Sequence, residues 1–194
     1  MLKNRLLSRF ILLLLPVMDR LLRRLYRIKP LRADGSGVIG VELRRYKGYS
    51  VILDNGSEIK DGDTIIELHM NSAWFKERRK LNLKASDLPW EVLHCFAQDL
   101  NFLAEQIVNG MFHGVTALHG KTFLHIGARR LGFQVEELPD TLWKKWAQFY
   151  LAGIMQIHHL GGDERFEALS KPLELKEFWL SKTALLQRYS PKCP

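Results

Sequence analysis

Thr64-Ile-Ile-Glu-Leu-His-Met70 is the stretch on which the fold turns. In an extended chain its residues alternate, placing Ile66, Leu68 and Met70 on one side and Ile65, Glu67, His69 and Asn71 on the other. Just before it, Asp61-Gly62-Asp63 marks a tight turn, preceded by a short extended piece, Ser57 to Lys60. Asp54-Asn55-Gly56 marks another, because Asn-Gly suits the positive φ angles of a hairpin turn. Further back, Tyr49 to Leu53 and Val38 to Arg45 are rich in β-formers. Residues 38–70 thus read as a small antiparallel sheet.

Downstream the period changes to that of a helix. Leu93, Phe96, Leu100, Leu103, Ala104, Ile107 and Met111 form one stripe of a helix from about Leu88 to Asn109, with Gly110 suited to its C-terminal turn. A short strand is expected over Val115 to Leu118, a helix over Phe123 to Leu131 opened by Gly120 and Thr122, and a strand over Phe133 to Leu138. Asp140 is expected to cap a long helix whose face includes Leu142, Trp146, Phe149, Tyr150, Ile154 and Ile157. An extended piece, Leu173 to Leu180, and a helix from Ser181 to Tyr189 complete the chain. The class is α+β, a small antiparallel sheet packed with several helices.

The 194 residues carry a net charge of +8, and its distribution is uneven. Residues 1–32 hold nine bases and one acid, Asp19, which leaves 20 bases and 20 acids for the other 162 residues. Met18, Leu21, Leu22, Leu25 and Ile28 recur at three- and four-residue steps, with Arg20, Arg23, Arg24 and Arg27 opposite them, as in a basic amphipathic helix. Residues 1–32 are therefore a basic amphipathic helical segment, and 33–194 a single α+β domain. The uncharged run from Phe10 to Met18 is far shorter than the roughly 20 residues that span a bilayer. Two settings suit the segment: its leucines can pack on the domain, or it can lie on an anionic membrane. In the second, Arg5, Arg9, Phe10, Arg20, Arg23, Arg24 and Arg27 are the contacts. A neutral globule argues against nucleic acid as a partner. Cys95 and Cys193 are too few for a disulfide framework.

Three clusters carry polar chemistry. Glu67, His69 and Asn71 share a strand face able to hold a polar ligand. Gly114 to Thr122 resembles a phosphate-binding loop but has five residues, not four, between the first glycine and Gly-Lys-Thr, which excludes that motif. Lys121 and Thr122 remain candidates for an anion at a helix start, with capping by Thr122 the simpler account. His158-His159-Leu-Gly-Gly-Asp163-Glu-Arg165 offers His159 and Arg165 for an anionic or sugar-like ligand. No spacing indicates a resident metal or cofactor, and none is expected.

Short motifs in a fixed order carry a resemblance. They are Tyr46-Lys-Gly48 with Leu53-Asp-Asn-Gly56, Ile59-Lys-Asp-Gly62-Asp63, and Ile66-Glu-Leu-His69-Met-Asn71. They continue with Leu118-His-Gly120-Lys-Thr122, Ala128-Arg-Arg-Leu-Gly132-Phe133, His159-Leu-Gly-Gly162 with Arg165, and Phe178-Trp-Leu-Ser181 with Leu185-Leu and Arg188-Tyr189. Together these resemble the YkoP-like domain family over about Leu21 to Tyr189. That family is bacterial and occurs alone or joined to polysaccharide deacetylase domains, without an assigned activity. Leu160 stands where the family often has proline. The resemblance implies a cell-envelope or polysaccharide context and a carbohydrate-active partner protein. Ala128 to Phe133 is also similar to the helix-ending Leu-Gly-Phe of GCN-related acetyltransferases, but their cofactor loop is absent from the sequence. The function expected is an accessory or ligand-binding domain, cytoplasmic and peripheral on the inner membrane face. The alternative is an enzyme acting on a sugar- or phosphate-bearing substrate through Glu67 and His69.

Overall fold

The computed structural model of the chain describes residues 17–80, 88–142, 144–148 and 174–190. Its centre is β5 (Thr64–Met70). It pairs antiparallel with β2 (Ile39–Arg45) and parallel with β6 (Val115–Thr122). β6 pairs in turn with β8 (Lys176–Ser181), which carries β7 (Gln134–Glu137), while β1 (Lys29–Pro30) closes the other edge. The sheet order is therefore β1-β2-β5-β6-β8-β7.

The α+β class stands, with a larger sheet than expected. It has six strands and is mixed, because α2 (Ser72–Lys80) and α3 (Leu88–Val108) lie in the chain between β5 and β6. A helical crossover lets the chain return parallel to the strand it left, which a short turn cannot do. β3 (Val51–Ile52) and β4 (Glu58–Ile59) do not join this sheet; they form a separate two-stranded hairpin around Asn55-Gly56. Its tip is tied to the main sheet, Asn55 Nδ2 donating to Ser181 Oγ at 2.7 Å and the Asp54 amide to Gln134 Oε1 at 2.7 Å.

Helices gather on one face. Ile66, Leu68, Leu118, Phe178 and Leu180 project there against Trp74 and Phe75 of α2, Leu100, Leu103 and Ala104 of α3, Ala128 of α4 (His125–Arg130), and Leu185 and Tyr189 of α5 (Lys182–Tyr189). Apolar burial supplies about 25 cal/mol per Å2 without directional demands, so this face organises the fold. Gly110, at φ +84°, ends α3 as expected, the Met111 amide reaching back to the Gln106 carbonyl. Ser181 caps α5, its Oγ accepting from the Ala184 amide at 3.1 Å.

Three sequence expectations give way. The strand β6 runs on through Gly120 and Thr122, and α4 begins only at His125, because residues 118–122 pair with β8 throughout. Gly120 serves packing rather than a helix start: a Cβ there would sit 2.3 Å from the Phe178 ring. Thr141 rather than Asp140 accepts from the Lys144 amide. Leu142 and Trp146 are exposed, while Ala147 faces a small cluster with Phe123, Leu138 and Leu175. The remainder of that expected helix lies outside the described residues.

The basic segment is anchored by polar contacts. Residues 17–25 form α1. Arg23 pairs with Asp19 at 2.9 Å and donates to the Met70 carbonyl and to Ser72 Oγ, and Ser72 in turn donates to Asp19. Arg23 thus turns into the domain and leaves the set expected to face a membrane. Arg27, at φ +52°, takes the position glycine usually fills at a helix end, and the Ile28 amide bonds back to the Arg23 carbonyl. Further on, Arg32 pairs with the buried Asp99 at 2.7 Å, and Asp99 also accepts from the Ile39 amide.

Candidate functional site

The face of the sheet turned away from the helices carries charge. Register places Glu42, Glu67, His119, Trp179 and Gln134 in one row across β2, β5, β6, β8 and β7. Beside them, Lys121 stands opposite Glu177, and Glu177 opposite Glu136. Strand alternation compels this outcome: with Ile66, Leu118 and Phe178 committed to the helices, their neighbours must point the other way.

Glu67 is the hub and is buried, its side chain 10% exposed. Arg44 bonds one carboxylate oxygen and Lys121 Nζ the other at 3.1 Å. Burial pushes the Glu67 carboxyl upward, but Lys121, His119, His69 and Arg44 outweigh it and hold the pKa at about 2. On either side, His69 Nε2 lies 3.2 Å from Glu42 and His119 Nε2 lies 3.3 Å from Glu177. Burial lowers the His119 pKa against the opposing hydrogen bond to Glu177, so its ring is neutral near pH 7. Facing a carboxylate, a neutral ring carries its proton on Nε2, which makes Nδ1 a bare acceptor. That Nδ1 is buried with no hydrogen-bond partner among the described residues, as is the indole Nε1 of Trp179. The two rings stack at 4.1 Å, and Tyr46 meets Trp179 edge-on at 5.4 Å.

The row is bounded by apolar groups. Leu53, Ile59, Ile65, Ala117 and Trp179 cluster beneath the β3–β4 hairpin, and Phe123, Leu138, Ala147 and Leu175 form another small cluster. Arg44, with its side chain 38% exposed, and His69, 26% exposed, give the row its contact with solvent. Among the described residues there is no group of three or more His, Cys, Asp or Glu fit to hold a metal ion. No helix among them is long and apolar enough to cross a membrane.

The structure brings together Glu67, His69 and Lys121 from the expected set. Asn71 does not join them: its Nδ2 donates to the Gly37 carbonyl at 2.9 Å and its Oδ1 accepts the Ala73 amide at 3.1 Å, a structural post at the start of α2. Thr122 Oγ1 accepts from the Leu124 amide at 2.8 Å, so it closes a turn rather than opening an anion site at a helix start. His159, Arg165, Arg5, Arg9 and Phe10 lie outside the described residues. Sequence reasoning missed Glu42, Arg44, His119, Glu177 and Trp179. Alternation within Val38 to Arg45 gives Glu42 and Arg44 a common side, and only the pairing of β2 with β5 adds that side to Glu67.

A six-stranded mixed sheet with helices on one face and a charged row on the other defines an α+β domain. The YkoP domain family model matches residues 8–189, and the chain belongs to that family. No curated protein and no solved structure matches it.

Proposed function

We propose that this chain is a non-catalytic accessory domain of the bacterial cell envelope that binds a polar, hydroxyl-rich ligand on the charged face of its sheet. The observation that carries this reading is Glu67 held between Arg44 and Lys121. Both cations already engage a carboxylate, which leaves hydrogen bonding rather than net positive charge as the means of holding a ligand. A sugar-like ligand fits such a floor better than a phosphate does. Arg44 and His69, the members of the row that reach solvent, offer the polar atoms such a ligand meets first. A carbohydrate-active protein is the partner this role expects, and the inner face of the membrane the place.

The enzyme reading is weaker. A group that transfers protons works best with a pKa near the working pH. Glu67, at about 2, stays ionised and is a feeble base.

Titration of the full-length, 15N-labelled chain with N-acetylglucosamine oligomers, and separately with inorganic phosphate, tests the reading. The oligomers are expected to shift the Trp179 indole resonance and the amides of β5 and β6, and Glu67→Gln to weaken that response at least ten-fold. Shifts with phosphate alone, or none with the oligomers, would overturn it.

A further inference from the structure

Helix α1 divides its apolar residues between two sides: Met18 and Leu22 are half-buried beside Asp19 and Arg23, while Val17, Leu21 and Leu25 face outward. Its polar side holds it to the domain, through Arg23 on the Met70 carbonyl and Ser72, with Asp19 bridging Arg23 and Ser72. Val17, Leu21 and Leu25, four residues apart and so on one stripe, are 62%, 65% and 69% exposed. Arg20 and Arg24 are exposed beside this stripe, and Arg27, Tyr26 and Lys29 are exposed at its end. Asp19 is the one acid among residues 1–32, and it points inward. The surface is thus apolar along its length and of a single charge sign at its margin.

We propose that this stripe is a docking surface for an anionic phospholipid bilayer. Val17, Leu21 and Leu25 enter the boundary between headgroups and acyl chains, and Arg20, Arg24 and Arg27 meet the lipid phosphates. The inference rests on the membrane part of the function proposed above and gives it residues and a lipid chemistry. An apolar stripe with basic flanks lies in the interface plane, its affinity set by buried apolar area and attraction to anionic headgroups. Charge complementarity favours a bilayer over an acidic protein patch, because the arginines follow a continuous apolar line rather than surround a pocket. Asp19, Arg23 and Ser72 are positioning residues that set which side of the helix faces outward.

Flotation of the full chain with vesicles of phosphatidylglycerol, or of phosphatidylcholine alone, tests this. Binding is expected to the anionic vesicles only and to fall as salt rises. Each basic residue near such a surface contributes about a five-fold factor, so Arg20→Glu/Arg24→Glu should cut partitioning at least roughly twenty-five-fold. Leu21→Glu/Leu25→Glu should abolish it, with the melting temperature of both variants unchanged. If the parent chain floats and both variants float equally well, this surface is wrong while the membrane reading survives. If the parent chain never floats, both fail. A lowered melting temperature in the leucine variant would show that the chain itself covers the stripe. Parent-chain dimers lost in that variant would show that a second copy does; either result overturns the proposal.

Discussion

On one face of the sheet Ile66, Leu68, Leu118, Phe178 and Leu180 meet four helices; on the other, their neighbours in sequence, Glu67, His119 and Glu177, meet one another and their ionic partners. The two faces are built from the same strands and are both largely buried, yet they obey different rules. An apolar face tolerates any close-packed arrangement of about the right volume. A charged face must match each group to a partner, because a buried charge left alone costs several kcal/mol. The helical face therefore determines the fold, and the charged face is where each side chain's position is fixed by its ionic partner.

Substitutions on the two faces should separate accordingly. Leu118→Ala, at a fully buried position among the helices, is expected to cost about 4 kcal/mol in a urea titration. A loss below about 1 kcal/mol would mean that the helical face is loosely packed. Next comes acid. The Glu67 carboxyl has its pKa lowered from 4.5 to about 2, so its stabilisation is complete above pH 4.5 and disappears as pH falls towards 2. That amounts to about 3 kcal/mol across the window. In Glu67→Gln this part of the pH dependence should vanish, although the variant is less stable at pH 7 because Arg44 and Lys121 lose their counter-charge. A parent profile flat between pH 5 and 2 would remove Glu67 from its role as hub. Burial lowers the His119 pKa below 6.5, so the neutral ring adds a loss that sets in below pH 6.5 and persists in Glu67→Gln.

Gly120→Ala tests the helical face by crowding rather than by voids, and should cost about 2 kcal/mol as the Phe178 ring is displaced. Combining it with Phe178→Leu should recover part of that loss; simple additivity would show that the ring is not the obstacle. The smallest effect is expected from Glu42→Gln, which keeps a polar side chain of the same shape against His69 in a part-buried contact and should change stability by less than about 1 kcal/mol. A larger loss would extend the rigid part of the charged row to its edge.

What the sequence disclosed divides along local and non-local lines. The alternation of Thr64 to Met70, the stripe of α3 and the Ser181 cap are written in neighbouring residues, and they stand in the structure except at Met111, which lies beyond the end of α3 and is exposed. The parallel pairing of β5 with β6 and the separation of the β3–β4 hairpin depend on contacts between distant segments, which period and turn chemistry do not encode. The short helix α2 was unforeseen because Trp74 and Phe75 offer too little periodicity to announce it. At the site, Glu67 and His69 were identifiable from their own strand, while Lys121 was singled out for an expected helix start and reaches the cluster only because β6 runs on to Thr122. Their partners Arg44, Glu42 and Glu177 arrive through cross-strand register, so no window of sequence contains the cluster.

The bond between Arg32 and Asp99 bears on how the protein can be dissected. A fragment cut after residue 32 would shed the edge strand Lys29–Pro30 along with the guanidinium, leaving an interior carboxylate only the Ile39 amide to lean on among the described residues. A fragment cut before Arg27 discards α1 with the residues that precede it and keeps that clasp fastened. Soluble, well-behaved material from the shorter deletion, and aggregates from the longer one, are what a bench trimming series should deliver.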